Sequence, residues 1–600
     1  MAKKIEAEEI SQSRMTAQSK PSGPVYGSDV IVDLLRAAGI EYAAFNPGAS
    51  FRGIHDSIVN YGGNRAPEAI TCTHEEISVA MAHGYAKATG RPMVALLHNV
   101  VGLQHATMAI FNAWCDRVPV LLLGGTGAMD SAKRRPWIEW VHTALVQGNQ
   151  IRDYVKWDDQ PHSLAAVPES LLRACRIATT EPTGPVYVCF DSELQENRAQ
   201  EIPPLPDFSR FRAPAPMQAD ENALREAARL LVRAEHPVII AERVGRQPSA
   251  VAALVELAET LGAPVLDRAS RFNFPNTHSL DLTGANREAV AESDVVLALD
   301  VQDVLGTVSA TDIAAGKPNL SVFERAKIIT ISVEHLLTKS WATDYQALAP
   351  VDVPITAETA VAIPRLTAFC REMGGSADRR AARRERIAAK HAALRAKWKQ
   401  QAEADATRVP IAASFLASEI WKLIRQEDWV LVNGDLNGWC RRLWDWERPN
   451  CYLGRSGGGG VGYGIGASVG AALAFRGSGR LCIDIQGDGD LLYTPGALWT
   501  LAHHRIPLLM VMWNNRSYYN SEAHAERIAR ARNRPLENKG IGTRIEDPEV
   551  DFAALARSFG LHGEGPIREP GAIRPALERA LQAVKEQGRA ALVDVRSDAQ

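Results

Sequence analysis

"LCIDIQGDGDLLYTPGALWTLAHHRIPLLMVMWNN", residues 481–515, is the stretch on which the fold turns. An apolar run ends at Asp488, bracketed by two glycines; a helix-forming stretch follows; a second apolar run ends at Asn514 and Asn515. Two short buried strands separated by one helix are the grammar of a parallel crossover. In a parallel sheet both tips emerge at the carboxyl edge, where open α/β sheets bind ligands, so Asp488 and Asn515 are predicted to converge. Glycines let the backbone approach a ligand closely. A carboxylate, an amide oxygen and main-chain carbonyls together suit a hard cation that keeps places for water and phosphate. Taken separately, the pieces read only as a tight turn and an unrelated asparagine pair.

The same alternation extends outward. "SDVIVDLLRAAG" reads as helix, "YAAFNPG" as a strand into a turn, and "PMVALLH" and "VPVLLLGG" as buried strands, closing near "GPVYVCFDSELQ". The proline-rich residues 202–217 read as a linker. A second α/β unit, 218–370, carries "HPVIIAE", "APVLD", "DVVLALD" and "KIITISV", and a third runs over 410–600. The fold class is therefore α/β, with three doubly wound parallel-sheet domains: 26–200, 218–370 and 410–600. Residues 371–409 are strongly basic; a nucleic-acid arm is one reading, but Ile387, His391, Leu394 and Trp398 fall on one helical stripe, which favours a linker helix docked by that face. Residues 1–25 read as a disordered lead.

Composition narrows the class. The 600 residues are 46% hydrophobic with a formal net charge of -3, so no electrostatic case exists for nucleic acid or an anionic membrane as partner. No stretch offers eighteen uninterrupted apolar residues, no signal-peptide core opens the chain, and the eight cysteines lack C-x-x-C spacing; the expectation is a cytoplasmic protein with buried thiols.

A second glycine cluster, "GRSGGGGVGYGIGASVGAALA" at 454–474, precedes a small-residue helix whose free amides are expected to suit a diphosphate. Gly457, Gly459 and Gly462 fit G-x-G-x-x-G, the fingerprint of a nicotinamide oxidoreductase. That rival wants its acid at the tip of the next strand on a ribose, whereas Asp484 lies inside the strand and the tip carries Asp488. It also leaves the asparagine pair unexplained.

The spacing of "GDG" to the second asparagine, 26 residues between Asp488 and Asn515, resembles the signature of thiamine-diphosphate-dependent enzymes such as acetolactate synthases and benzoylformate decarboxylase. The resemblance implies an N-terminal pyrimidine-binding, a central and a C-terminal diphosphate-binding domain. It implies thiamine diphosphate and Mg2+ as cofactors, with the metal on Asp488, Asn515 and the Ser517 carbonyl. Gly487, Gly489, Asp490 and Leu491 match diphosphate contacts, as does Asn437 in "NGDLNGW", and Val461 matches the bulky residue that props the cofactor in its bent form. The family also needs a glutamate against the aminopyrimidine. In "CTHEEISVAMAHGYAKATGRP" the glutamate nine residues before the "GYA" glycine is Glu75. Thr73 to Glu76 also form a T-x-x-E capping box, which employs Glu76 and leaves Glu75 for the cofactor.

"NPGAS", "HEE" and "ALLHNVVGLQHATMAIFNAW" resemble benzoylformate decarboxylase most, making His98 a candidate acid/base, with weaker claims for His74, His105 and His142. A satisfied strand-end histidine is the plainer reading of His98. Two departures bear on substrate: Ala49 stands where that relative has a catalytic serine, with Ser50 next, and "LALDVQDVLG" lacks its second histidine. Glu522, in "NSEAHAERIARARN", lies one position from an active-site glutamate of pyruvate decarboxylases; a surface helix glutamate is the alternative. The central "AERVGRQ" lacks the glycines by which acetolactate synthases hold FAD. The expected activity is carbon–carbon bond cleavage or formation beside the carbonyl of a 2-oxo acid. A 2-hydroxyacyl-CoA lyase or oxalyl-CoA decarboxylase is the alternative, disfavoured because the sequence stops after its last strand, and a catalytically silent homologue stands further off. The resemblance also implies self-association as a homodimer or homotetramer, Glu75 of one subunit meeting diphosphate held by another.

Overall fold

The computed structural model of the chain describes residues 23–312, 317–337 and 346–598. All but the last three residues of the expected N-terminal lead lie outside them.

Three parallel sheets, each flanked by helices, follow one another along the chain. The first contains β1 (Tyr42–Phe45), β2 (Glu68–Thr71), β3 (Val94–Leu97), β4 (Leu121–Thr126), β5 (Asp158–Asp159) and β6 (Val186–Asp191), in the order β2-β1-β3-β4-β6-β5. The second contains β7 (Pro237–Ala241), β8 (Val265–Asp267), β9 (Val295–Leu299), β12 (Lys327–Ile331) and β13 (Val353–Ile355), ordered β13-β12-β9-β7-β8, with a separate antiparallel ribbon of β10 (Ala310–Asp312) and β11 (Lys317–Asn319). The third contains β14 (Trp429–Asn433), β15 (Leu481–Gly487), β16 (Leu509–Asn514), β17 (His562–Ile567) and β18 (Ala591–Arg596), ordered β14-β15-β16-β18-β17. Strands such as β3, β4 and β9 are buried along their whole length, which is why they read as continuous Val/Leu/Ile/Ala runs rather than alternating patterns.

Register places the site. β15 and β16 pair in parallel with Gly487 opposite Trp513, so the residues that follow, Asp488 and Asn514–Asn515, leave the sheet side by side. The N- and C-terminal domains share one hydrophobic core, where Ile77, Met81 and Tyr85 meet Ile465, Val469 and Leu473. The helices Glu75–Thr89 and Tyr463–Ala474 cross there backbone to backbone. A Cβ on Gly84 would fall 1.9 Å from the Ala467 carbonyl oxygen, and one on Gly470 would fall 1.9 Å from that of Met81, so both crossings demand glycine.

Between the central and C-terminal domains runs the helix Ala377–Ala404, its first turn capped by the Ser376 hydroxyl. Ile387 is buried in the central core, Leu394 packs against that core, Trp398 packs against the C-terminal one, and His391 Nδ1 donates to the Asp281 carbonyl at 2.8 Å. The carboxyl edge of the central sheet is occupied by buried ion pairs: Arg246 with Glu181 and Asp300, Arg117 with Asp300 and Glu334, and Arg243 with Glu334.

Candidate active site

Two carboxyl edges carry the predicted residues. At the N-terminal edge, Glu75 opens the helix Glu75–Thr89 directly after β2. The helix begins one residue later than the capping-box reading expects. His74, extended at φ -160°, is the N-cap and its Nδ1 accepts from the Glu76 amide at 3.1 Å. Thr73 lies instead against Gly496, where an added Cβ would come within 2.0 Å of its hydroxyl, so contact with the C-terminal domain overrides the local box.

Glu75 is 3% exposed, and its carboxylate is held on both sides: Asn46 Nδ2 donates to Oε1 at 3.1 Å, and His105 Nδ1 lies 3.3 Å from Oε2. Gly102 makes the space, for a Cβ there would stand 3.1 Å from Oε1. His105 stacks on His74 at 5.0 Å, and His98 and His142 meet edge to face at 5.5 Å. His98 follows β3 and is the N-cap residue of the helix Asn99–Cys115, without a side-chain capping bond. Burial first, then the neighbouring His142, pull its pKa below the usual histidine value, which favours the neutral ring. Asn46, His98 and Glu75 thus come from the tips of β1, β3 and β2, adjacent in the sheet.

At the C-terminal edge Asp488 is buried at the start of the short helix Asp488–Tyr493. Its Oδ1 accepts from the Gly489 amide at 2.9 Å, while Oδ2 is buried without a hydrogen-bond partner. Desolvation pushes the carboxyl up to about 6. A cation is the partner that would keep it ionised, so the donor set fits a metal. Asn515 Oδ1 accepts from the Ser517 amide at 2.9 Å, and Arg516 between them takes a left-handed φ of 58°, folding the turn back toward Asp488. Gly489 admits Tyr518: a Cβ there would meet its ring at 2.5 Å.

Glu522 belongs to this turn rather than to open solvent. It is buried, accepts from Ser517 Oγ at 2.8 Å and pairs with Arg544 at 3.4 Å. Asn437 lies exposed after β14, at the tip next to Asp488, with φ 52°. Val461 sits half-exposed on the glycine loop, while Gly487 ends β15 and Leu491 is fully buried.

The glycine run behaves differently from the sequence expectation. Its amides are not free: those of Gly462 and Gly464 donate to the Asp490 carboxylate at 2.6 and 3.0 Å, Gly457 donates to Asp116 at 2.8 Å, and Gly460 donates to Asn112 at 3.3 Å. Asp490 therefore caps the helix Tyr463–Ala474 by its side chain, occupying the place a diphosphate was expected to take and removing the basis of the dinucleotide fingerprint. Asp484, the acid that fingerprint would need, is buried in the sheet and accepts from Asn433.

Sequence reading missed several members. Asn46 stood in the quoted "NPG" yet carried no sign that it would reach Glu75. Asp116 is buried against Lys87 at 2.6 Å and His83 at 3.0 Å, and Lys87 donates to the Arg455 carbonyl and Tyr463 hydroxyl, tying the glycine loop to the Glu75 helix. Glu76 faces Gly462 and, by burial and then Asp490, is pushed up to about 7. A cavity of about 500 Å³ lies elsewhere, between Trp114, Val301, Leu305 and Glu334.

With this geometry in place, comparison with known proteins is consistent along the chain. Models of the thiamine pyrophosphate enzymes match in three parts: the N-terminal TPP binding domain over residues 25–150, the central domain over 224–358 and the C-terminal TPP binding domain over 433–595. The probable acetolactate synthase 2, chloroplastic, of Oryza sativa subsp. japonica is 26% identical over 607 aligned positions, covering 94% of this chain and 82% of the relative. Benzoylformate decarboxylase of Pseudomonas aeruginosa is 26% identical over 539 positions, covering 87% and 90%. The crystal structure of benzoylformate decarboxylase from Polynucleobacter necessarius superposes with a TM-score of 0.76 at 17% identity, covering 96% of this chain and 99% of that one.

Proposed function

Because the chain belongs to the thiamine pyrophosphate enzymes, we propose that it is a magnesium-dependent carbon–carbon lyase or ligase acting on a 2-oxo acid or related carbonyl donor. The observation that carries the metal reading is Asp488 Oδ2, buried and unpartnered beside the Asn515–Ser517 turn. Asp488, Asn515 and the Ser517 carbonyl would hold Mg2+, with Gly487, Gly489 and Leu491 around them, Asn437 on the adjoining tip and Val461 against the cofactor. When bound, thiamine diphosphate would supply an electron sink for the pair left at the substrate's carbonyl carbon when its bond to the departing group breaks. Glu75 would meet the aminopyrimidine and exchange a proton with it, and Asn46 and His105 keep its carboxylate in place. His98, neutral and half-buried, faces the donor. The Asp490 amide would join the diphosphate contacts of Gly487, Gly489 and Leu491, while its carboxylate fixes the start of the glycine-rich helix.

The site is read as shared between two copies of the chain. Glu75 and Glu76 project about 100° apart on their helix; Glu76 faces Gly462 of its own C-terminal domain, while Glu75 faces the N-terminal cleft of Asn46, Gly102 and His105. The short helix that carries His142, whose ring meets His98, exposes Trp137, Trp140 and Val141, with Leu145 just beyond it. A second copy covering this apolar rim would bring its own Asp488 edge toward Glu75. Homodimer or homotetramer both satisfy this.

The test is product analysis by proton NMR with thiamine diphosphate and Mg2+ across aromatic and aliphatic 2-oxo acids, a 2-hydroxy ketone and one 2-hydroxyacyl-CoA. A Glu75→Gln control runs beside each. Turnover of one donor class, lowered at least ~100-fold in the control as loss of a proton-transfer group requires, supports the reading and names the donor. Turnover of the acyl-CoA alone moves the assignment to the CoA-dependent branch. No turnover of any donor, with cofactor affinity indifferent to Mg2+, refutes it.

A further inference from the structure

The departure at "NPGAS" points to a role for Ser50 that the position of the residue in the sequence does not suggest. Ser50 lies in the short 3-10 turn Ala49–Phe51 after β1, and it is almost wholly buried. Its side chain and its main chain both address one atom. Ser50 Oγ stands 3.0 Å from His98 Nδ1, and the Ser50 amide donates to the same nitrogen at 3.4 Å. The Asn99 amide donates to Ser50 Oγ at 3.1 Å. Because the Ser50 amide already addresses Nδ1 as an acceptor, the hydroxyl's proton is the one directed at that nitrogen, while Oγ accepts from Asn99.

The seat is built for this contact. The first amides of a helical turn lack intrahelical acceptors, so the Ser50 N–H is available to the ring. Gly48 lets the imidazole lie flat on the turn, since a Cβ there would fall 2.5 Å from His98 Cβ. Gly125 on β4 leaves room for the serine, for its Cβ would fall 2.5 Å from Ser50 Oγ. Gln195 Nε2 donates to the Ser50 carbonyl at 2.9 Å and fixes the turn from behind. Asn99, which brings the third amide, is held at φ 36°, a left-handed conformation that costs energy outside glycine and persists where surroundings impose it.

We propose that Ser50 is a positioning residue that makes Nδ1 of His98 a pure acceptor, so that the neutral imidazole carries its proton on Nε2 and offers it as a hydrogen-bond donor to the carbonyl oxygen of the donor substrate. Two donors converging on Nδ1 leave no place for a proton there, and a neutral imidazole has one N–H. Nε2 lies across the ring from Ser50, and among the described residues no protein group bonds to it. The ionisable groups that face His98 are His142, Glu75 and Arg135. Of these His142 and Arg135 oppose a positive imidazolium, as burial does, whereas Glu75 favours it. His98 would then act as an electrophile polarising the carbonyl, in the way a neutral histidine can, and not as the base that removes a proton. This assignment rests on the proposed site, but its central claim concerns a tautomer and can be tested apart from turnover.

The first experiment is neutron diffraction from deuterium-exchanged crystals of the protein with thiamine diphosphate and Mg2+ at neutral pH. A deuteron on Nε2, none on Nδ1, and the Ser50 deuteron directed at Nδ1 is the expected result. A deuteron on Nδ1, or on both nitrogens, overturns the proposal whatever the enzyme does. The second compares Ser50→Ala with Ser50→Thr. Ser50→Ala should lower kcat about tenfold, the size of one lost hydrogen bond, and shift the acid limb of the pH profile upward, because a donor opposing protonation of His98 is gone. Thiamine diphosphate affinity should stay within about twofold. Ser50→Thr, which keeps the hydroxyl, should restore both kcat and the limb. Equal losses in the two variants with an unmoved pH limb mean that Ser50 only packs the turn, and the proposal fails. If Glu75→Gln leaves turnover intact while the tautomer is as expected, the site reading fails and the positioning claim survives.

Discussion

Asp116→Asn probes the joint between the two cofactor-binding domains. The Asp116 side chain is 7% exposed; Lys87 Nζ lies 2.6 Å from one oxygen and the Gly457 amide donates to the other at 2.8 Å. The nearby Lys87 ammonium and His83, acting against burial, hold this carboxyl well below the usual carboxylate range. Its stabilisation is therefore fully present above the unfolded-state value and is lost only as pH falls through the depressed folded value. Neutralising it strands a buried ammonium, which costs about 3–5 kcal/mol. For a cooperative unit of 150–250 residues that is about 6–20 °C in Tm. Burial already lowers the Lys87 pKa, so in the variant the unfolded chain binds the lysine proton more tightly than the folded one. The deficit should then shrink as pH rises from 7 toward 10, and the double variant Asp116→Asn/Lys87→Met should recover much of it. Thermal melts followed by tryptophan fluorescence at several pH values read all three effects. A single-variant loss under about 1 kcal/mol, well short of a broken buried pair, or a deficit that grows with pH, would refute the reasoning.

Other residues give sharper local tests. Asp488→Asn should raise the Mg2+ concentration for half-maximal cofactor binding at least about 100-fold, beyond the effect of an outer-shell change, measured by titration calorimetry; chelation of the wild type should reproduce it. Glu522→Gln, which loosens Ser517 and Arg544, should raise the same metal requirement about tenfold with kcat recovered at saturating metal. A kcat loss that metal cannot restore would instead give Glu522 a part in proton transfer. Gly84→Ala drives a Cβ into the Ala467 carbonyl and should cost about 1–3 kcal/mol or more, seen in thermal unfolding; an unchanged Tm would mean that the two helices separate more easily than their contact implies.

Much of this was legible in the chain. Buried parallel strands must be continuous apolar runs, and crossovers must be helices of amphipathic period, so "LCIDIQ", "IPLLMVMW" and the segments between them specify parallel α/β architecture without any long-range knowledge. Parallel register then forces strand tips to one edge, which is why Asp488 and Asn515 could be paired in advance and His98 read as a strand-end residue, whereas Glu75 was reached only through the family resemblance. What spacing cannot convey is which neighbour satisfies a given polar group. The amides of "GGGGVGYG" looked free because their acceptors, Asp490, Asn112 and Asp116, lie 26 to 348 residues away. Thr73 looked like a cap because the C-terminal domain that claims it is absent from its local sequence. Ser50 looked like a displaced serine because its contact with His98 depends on two strand tips and on the space left by Gly48 and Gly125. Local pattern determined the elements and the edge at which chemistry would occur; tertiary packing decided the hydrogen-bond partners, since a buried donor or acceptor must be satisfied by whatever group the folded chain brings within reach.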